Sequence, residues 1–384
     1  MNPTFIPFAR PSISEEAIAE VCACLRSGWI TTGPRVERFE ALLRDYLAAP
    51  SAQTCISATG GLLMALLALD LQPEEEVITT PMTFAATLNT IVLAGGRPRL
   101  VDVQRGTYNL DVEQLAAAIN PRTRAIVPVH FAGLPADLDP LYALADQHGL
   151  RVIEDAAHAI GSEYKGRKIG SFGDTQVFSF HPNKNITTGE GGCVVTRDAR
   201  MRERIELLRF HGIDRNAFPE LKKKGLPNYD IALAGYKFNM MDLQAALGLH
   251  QLPQLDAFNQ RRRELVERYY RAFAGCRGLI LPQRPPYAHQ HAWHLFAPLV
   301  NTGPAGLSRE DFMLALKAEG IGAGLHYQAI HLGRFYQETF GFRRGDFPQA
   351  EFISDRVVSL PLFPSLTEAE QERVIAAVFK VLGN

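Results

Sequence analysis

The chain has 384 residues, 46% of them hydrophobic and 21% charged, with 40 Lys and Arg against 41 Asp and Glu, a formal net charge of -1. That length suggests two domains, and the charge balance excludes the strong basic excess that a nucleic-acid or anionic-membrane partner demands. No apolar run is long enough to cross a bilayer, and the opening MNPTFIPFARPS lacks a basic segment followed by an apolar one. The five cysteines (Cys22, Cys24, Cys55, Cys193 and Cys276) are scattered and odd in number. They suit a reducing compartment better than a disulfide framework, so a cytoplasmic location is expected.

Along the chain, short β-branched runs predict strands at 54–58, 77–80, 99–103, 125–130, 151–155, 176–180 and 192–196. Helical patterns fall between several of them, at 62–69, 112–119 and 138–148. Such alternation predicts βαβ units and a mostly parallel seven-stranded sheet covered on both faces, an α/β fold. Ligands of these sheets bind at the carboxyl ends of the strands. Residues 212–235, with two prolines, three glycines and the Lys222–Lys224 run, read as a long loop whose lysines face solvent. A helical pattern follows at 241–270. The remainder mixes strand-like 294–300, helical 309–319, strand-like 321–326 and helical 368–382. We therefore expect a large domain over 1–250 and a smaller α+β domain over 251–384.

Three stretches carry chemistry. In Val152-Ile153-Glu154-Asp155-Ala156-Ala157-His158, Asp155 ends a buried strand, where a carboxylate is costly unless a cation pairs with it. A pyridinium nitrogen is one such cation; a plain helix N-cap is the structural alternative. In Ser179-Phe180-His181-Pro182-Asn183-Lys184, the lysine lies just past another strand at the same sheet edge. Desolvation there would lower its pKa and free an amine nucleophile; otherwise it is one more surface lysine. The nearby Gly189–Gly192 cluster implies unusual torsions or close backbone approach. In Ser57-Ala58-Thr59-Gly60-Gly61, a strand and small-residue turn precede a helix, which makes an anion site for a single phosphate. Phe84, after a further strand, can stack on a ring or simply fill core. Together these pieces describe pyridoxal 5′-phosphate (PLP): a phosphate cradle, a carboxylate for a ring nitrogen and a lysine for an aldehyde.

With these motifs, the chain resembles the DegT/DnrJ/EryC1/StrS sugar aminotransferases of the fold-type I PLP architecture. The likeness spans Ser27–Pro34, the Asp155 and Lys184 motifs, Gly235–Asn239, His291–His294, Gly324–His326 and Ser359–Pro364. It is greatest to members that aminate UDP-4-keto-sugars. The resemblance implies that Lys184 holds the cofactor and shuttles a proton. It further implies that Asp155 pairs with the ring nitrogen and that His158 lies near the ring and its 3′-oxygen. Ser179 and the amides of Thr59 and Gly60 would bind phosphate, and Phe84 would stack where related members carry tryptophan. Asn239 would reach the phosphate of a neighbouring subunit, making a homodimer. Trp29, Ile30, Thr31, the 212–235 loop and His326 would line a pocket for an amino acid donor, L-glutamate, and a keto-sugar nucleotide acceptor.

Alternatives are a simple aldehyde, ketone or polyamine-derived acceptor, a PLP dehydratase and a non-catalytic regulator. The family's dehydratase branch carries histidine where Lys184 stands. The His289, His291 and His294 set lacks an accompanying carboxylate or cysteine pattern, so no metal is expected.

Overall fold

The computed structural model describes residues 5–383 apart from 216, 218, 219, 221, 222 and 224–227. Seven strands form the central sheet: β1 (Gln53–Cys55), β2 (Glu76–Thr79), β3 (Arg97–Leu100), β4 (Thr123–Ile126), β5 (Arg151–Asp155), β6 (Thr175–Ser179) and β7 (Gly192–Thr196). Their order is β1-β7-β6-β5-β4-β2-β3, and only β7 runs against the rest.

Side chains alternate across this sheet with period two. Val77, Ala125, Val127, Ile153, Val177 and Val194 point to one face. There they meet α3 (Ala58–Leu67), α4 (Ala85–Leu93) and α7 (Ala199–Arg209) through Leu62, Met64, Ile91 and Ile205. Ile78, Ile126, Val152, Phe178 and Val195 point the other way. They meet α2 (Pro34–Leu47), α5 (Val112–Ala118), α6 (Leu138–His148) and α8 (Asp242–Gln251). Burial of each such large apolar side chain contributes roughly 1.5–3 kcal/mol. The first helix, α1 (Glu15–Ser27), lies against α8. A second core gathers Ile6 with Leu265, Phe296, Phe312, Leu360 and Val378, so the start of the chain packs on its end.

Local signals explain the helix ends. Ser14 caps α1, and Gly28, at φ 73°, terminates it. Asp242 accepts the Arg35 and Val36 amides, 3.1 and 2.9 Å away, and so caps α2 from across the fold. The last helix, Glu368–Val381, opens with a Thr367–Glu370 capping box.

Several expected boundaries move. The predicted strand 54–58 ends at Cys55 because Ser57 caps a helix that starts at Ala58, four residues before the predicted 62. The strands predicted at 99–103 and 125–130 lie earlier, at Arg97–Leu100 and Thr123–Ile126. The pattern over 241–270 is interrupted by a 3₁₀ turn at Leu252–Gln254, because Pro253 cannot donate an N–H. Of predicted strand 294–300 only Leu299–Val300 is regular, and 321–326 keeps single bridges, Ile321 to Ile6 and Gly324 to Ser359. The expected loop 212–235 contains a short antiparallel ladder, Ile213–Asp214 with Asp230–Ile231. Lys222 and Lys224 lie outside the described residues, while exposed Lys223 pairs with Glu220.

Candidate active site

The site is assembled where parallel strands β1, β5 and β6 end and β7 begins. Gly192, the first residue of β7, is needed for this. A Cβ there would stand 2.5 Å from the Ala58 nitrogen and 2.6 Å from the Ser57 carbonyl carbon. The strand start therefore lies directly against the start of α3. Ser57 Oγ accepts the Gly60 N–H at 3.1 Å. The first-turn amides of Ala58 and Thr59 have no carbonyl partner within the helix, and the helix dipole adds partial positive charge. Ser179, at the end of β6, lines the same pocket as Ser57, Ala58 and Thr59. This is a cradle for one phosphate-sized anion.

Asp155 ends β5 and is buried. Thr87 Oγ1 donates to its Oδ2 at 2.7 Å, and the Ala157 N–H reaches Oδ1 at 3.2 Å. Thr83 lies 2.7 Å from Thr87, continuing the network onto the loop before α4. Burial pushes the Asp155 carboxyl above its ordinary pKa, with these donors and Lys184 only partly opposing it. A cationic partner would restore its charge.

Lys184 supplies the amine. Burial pulls its pKa down to about 8, against the attraction of Asp155. Its Nζ lies 3.5 Å from His294 Nε2. The His294 ring is buried, sits 4.3 Å from the His158 ring, and has no hydrogen-bond partner at Nδ1 among the described residues. Lysine deprotonated near neutrality can act as a nucleophile and as a base.

The remaining wall is aromatic and imidazole. His158 accepts the Ala132 N–H at Nδ1, 3.2 Å, and pairs through Nε2 with the Tyr327 hydroxyl at 2.9 Å. Both ring nitrogens are thus engaged, so His158 offers the pocket its ring rather than a free nitrogen. Burial, then Lys184, keeps it uncharged well below its usual pKa. His326 bonds Ser359 through Nδ1 at 2.8 Å, and burial pulls it down to about 4. Phe84 leaves 59% of its surface exposed and lies 5.8 Å from the Tyr327 ring. The pocket volume is about 280 Å³.

The pocket thus brings together Lys184, Asp155, His158, Thr59, Ser179, Phe84 and His326. Gly60 stands outside this lining with its N–H engaged by Ser57, whereas Ala58 lines the pocket. Asn239 and Thr31 line a separate, open cavity. There the Asn239 amide donates to Thr32 Oγ1, and Trp29 and Ile30 nearby are exposed. The three histidines of the 289–294 segment part company. His289 bonds the Tyr287 carbonyl, His291 stacks on Trp293 at 3.6 Å, and His294 turns to Lys184. Thr87, Tyr327 and His294 escaped sequence reading. Tyr327 adjoins His326 and His294 ends the noticed histidine run, but neither spacing revealed a shared pocket.

Residues 11–379 match the DegT/DnrJ/EryC1/StrS aminotransferase family. The chain belongs to that family. It is 43% identical over 378 residues to the spore coat polysaccharide biosynthesis protein SpsC of Bacillus subtilis, covering 97% of this chain and 96% of the relative. The PMP form of Spr1654 from Streptococcus pneumoniae superposes with a TM-score of 0.92 at 33% identity, covering 98% of this chain and 99% of that one; a PLP form is also known. Helicobacter pylori PseC, an aminotransferase of pseudoaminic acid biosynthesis, gives 0.92 at 30% identity, covering 99% and 100%. The chain is therefore a PLP-dependent aminotransferase of fold type I. Its own residues fit the cofactor: one anion cradle, one buried carboxylate awaiting a cation, one neutral-prone amine and one exposed aromatic face. Among the described residues, no helix is long and apolar enough to cross a membrane.

Proposed function

We propose that this aminotransferase moves nitrogen from an amino acid, L-glutamate being the expected donor, to the keto group of a nucleotide-linked sugar. A UDP-4-keto-pentose or UDP-4-keto-hexose is the expected class. The observation that carries this reading is the polar lining around Lys184. His181, Asn183 and Glu190, polar groups suited to sugar hydroxyls, line the same pocket as the Phe84 and Tyr327 rings. The roles of SpsC and PseC in polysaccharide and pseudoaminic acid biosynthesis agree with a sugar acceptor.

We also propose that two copies share each active site. Among the described residues, Lys184 is the one lysine or arginine lining the pocket, although the cofactor phosphate and the donor carboxylate are both anions. Further cations, with Asn239 and Thr31, stand on the adjoining open cavity, and exposed Trp29 and Ile30 lie near them. A second copy presenting this side would bring Asn239 and Trp29–Thr31 to its partner's pocket.

When bound, PLP supplies an aldehyde carbon and an electron-withdrawing ring. Ala58, Thr59 and Ser179 would hold its phosphate, and Asp155, oriented by Thr87 and Ala157, its ring nitrogen. Lys184 anchors it and then accepts and returns a proton at Nζ. His294, uncharged through burial and its cationic neighbours, gives that amine an uncharged contact.

The acceptor is tested with ¹⁵N-glutamate and a panel of carbonyl compounds, read by mass spectrometry. Label should enter a UDP-keto-sugar. Label found only in simple aldehydes, ketones or polyamine-derived carbonyls would replace the sugar reading. Sharing is tested by mixing Lys184→Ala with Asn239→Ala protein: partial recovery is expected, and no recovery would sink it.

A further inference from the structure

The pairing of His158 with Tyr327 assigns every proton in that contact but one. The Ala132 N–H, a pure donor, points at His158 Nδ1 from 3.2 Å. That nitrogen must therefore be the unprotonated one, and the neutral ring carries its hydrogen on Nε2. Nε2 lies 2.9 Å from the Tyr327 oxygen, so His158 donates and Tyr327 accepts. The phenolic hydrogen of Tyr327 is left over, and His158 is the hydroxyl's only hydrogen-bond partner among the described residues. Tyr327 lines the pocket together with Lys184 and Asp155.

We propose that Tyr327, turned by His158, donates its hydroxyl hydrogen to the ring oxygen of the bound cofactor. By the chemistry of PLP, that oxygen neighbours the aldehyde carbon and lies away from the phosphate arm. It carries negative charge in the working form, so a donated hydrogen bond stabilises it. His158, expected near this oxygen, would act on it through Tyr327, because both of its nitrogens are occupied. Burial raises the Tyr327 hydroxyl pKa, so it keeps its proton in the working range. The groups facing Tyr327 are His158, His326 (ring centroids 5.1 Å apart) and the apolar rings of Phe84 and Phe131, with Asp155 and Lys184 in the same pocket. The inference rests on the cofactor and is independent of which carbonyl is aminated.

Tyr327→Phe keeps the ring and removes the donor. In the reconstituted variant, the pH-dependent absorbance transition of the cofactor should move up by about one unit, since a hydrogen bond to a charged group is worth roughly tenfold in such an equilibrium. Apoenzyme titrations give a second readout. PLP should bind Tyr327→Phe about tenfold more weakly than wild type, whereas the 3-deoxy analogue, lacking the ring oxygen, should bind both equally. His158→Leu, which removes the group that turns Tyr327, should shift the transition in the same direction by less, and serves if Tyr327→Phe does not fold. A transition unmoved in the folded variants, or an affinity loss shared by the 3-deoxy analogue, would overturn the proposal. Wild-type protein without any cofactor absorbance would instead overturn the cofactor itself.

Discussion

Two cavities flank the β1–α3 junction, and they treat cations in opposite ways. In the Lys184 pocket, burial outweighs attraction and the amine is pulled down to about 8. In the open cavity of about 1030 Å³ on the other side, Arg209 contacts Glu40 at 2.6 Å and Glu206 at 2.6–2.8 Å. Burial works against the Arg209 charge too, but the two carboxylates outweigh it and hold the proton more tightly. A buried cation short of carboxylate partners gives up its proton more readily; one enclosed by carboxylates holds it. Residue type alone does not distinguish these fates, since both side chains sit near the same sheet edge.

The comparison breaks most severely at Lys184. Lys184→Ala should reduce turnover by about 10³-fold or more and abolish the covalent cofactor absorbance, without lowering the melting temperature of the apoenzyme. Near-normal turnover would refute the assignment. Arg209→Met should do the reverse. It leaves Glu40 without its cation, costing about 3 kcal/mol in chemical denaturation, while the cofactor absorbance persists in the fraction that folds. A normal denaturation midpoint would show that the pair is not structural.

Gly192→Ala probes the wall between the cavities. The added methyl collides with the backbone of Ser57 and Ala58, so a loss of about 2 kcal/mol is expected with weakened PLP affinity, measured by melting and titration. The smallest effect is a pH dependence. The Lys184 amine becomes free as pH rises through about 8, so PLP recapture by apoenzyme should accelerate up to that pH and then level off. His326 has the same sign. Its folded pKa of about 4 lies below the ordinary 6.5, so its neutral form contributes full stability above 6.5, lost as pH falls toward 4. His158, His291 and His294 are displaced in the same direction. Melting curves between pH 7.5 and 4.5 should show the decline. His326→Asn should lessen it.

Much of this was legible beforehand because the signals are local. Strands 151–155 and 192–196 and helix 138–148 appear where periodicity put them, and Asp155 and Lys184 were identifiable as the carboxylate and amine of one sheet edge. The start of α3 was misjudged because a serine cap looks like a strand residue until its Oγ accepts an amide from the next turn. Tyr327 and His294 were invisible as site residues for a different reason. They lie 110 or more positions from their partners Lys184 and His158, and no periodicity spans such distances.

By itself, then, the sequence determined the α/β alternation, the small-residue turn before α3 and the strand-end positions of Asp155 and Lys184, because each depends on neighbours a few residues away. Only the tertiary structure decided which cation is desolvated, which tautomer His158 adopts, that Tyr327 lines the pocket, and that Thr87 and His294 contact Asp155 and Lys184. Those outcomes follow from desolvation and hydrogen-bond geometry, which come into being when distant segments pack together.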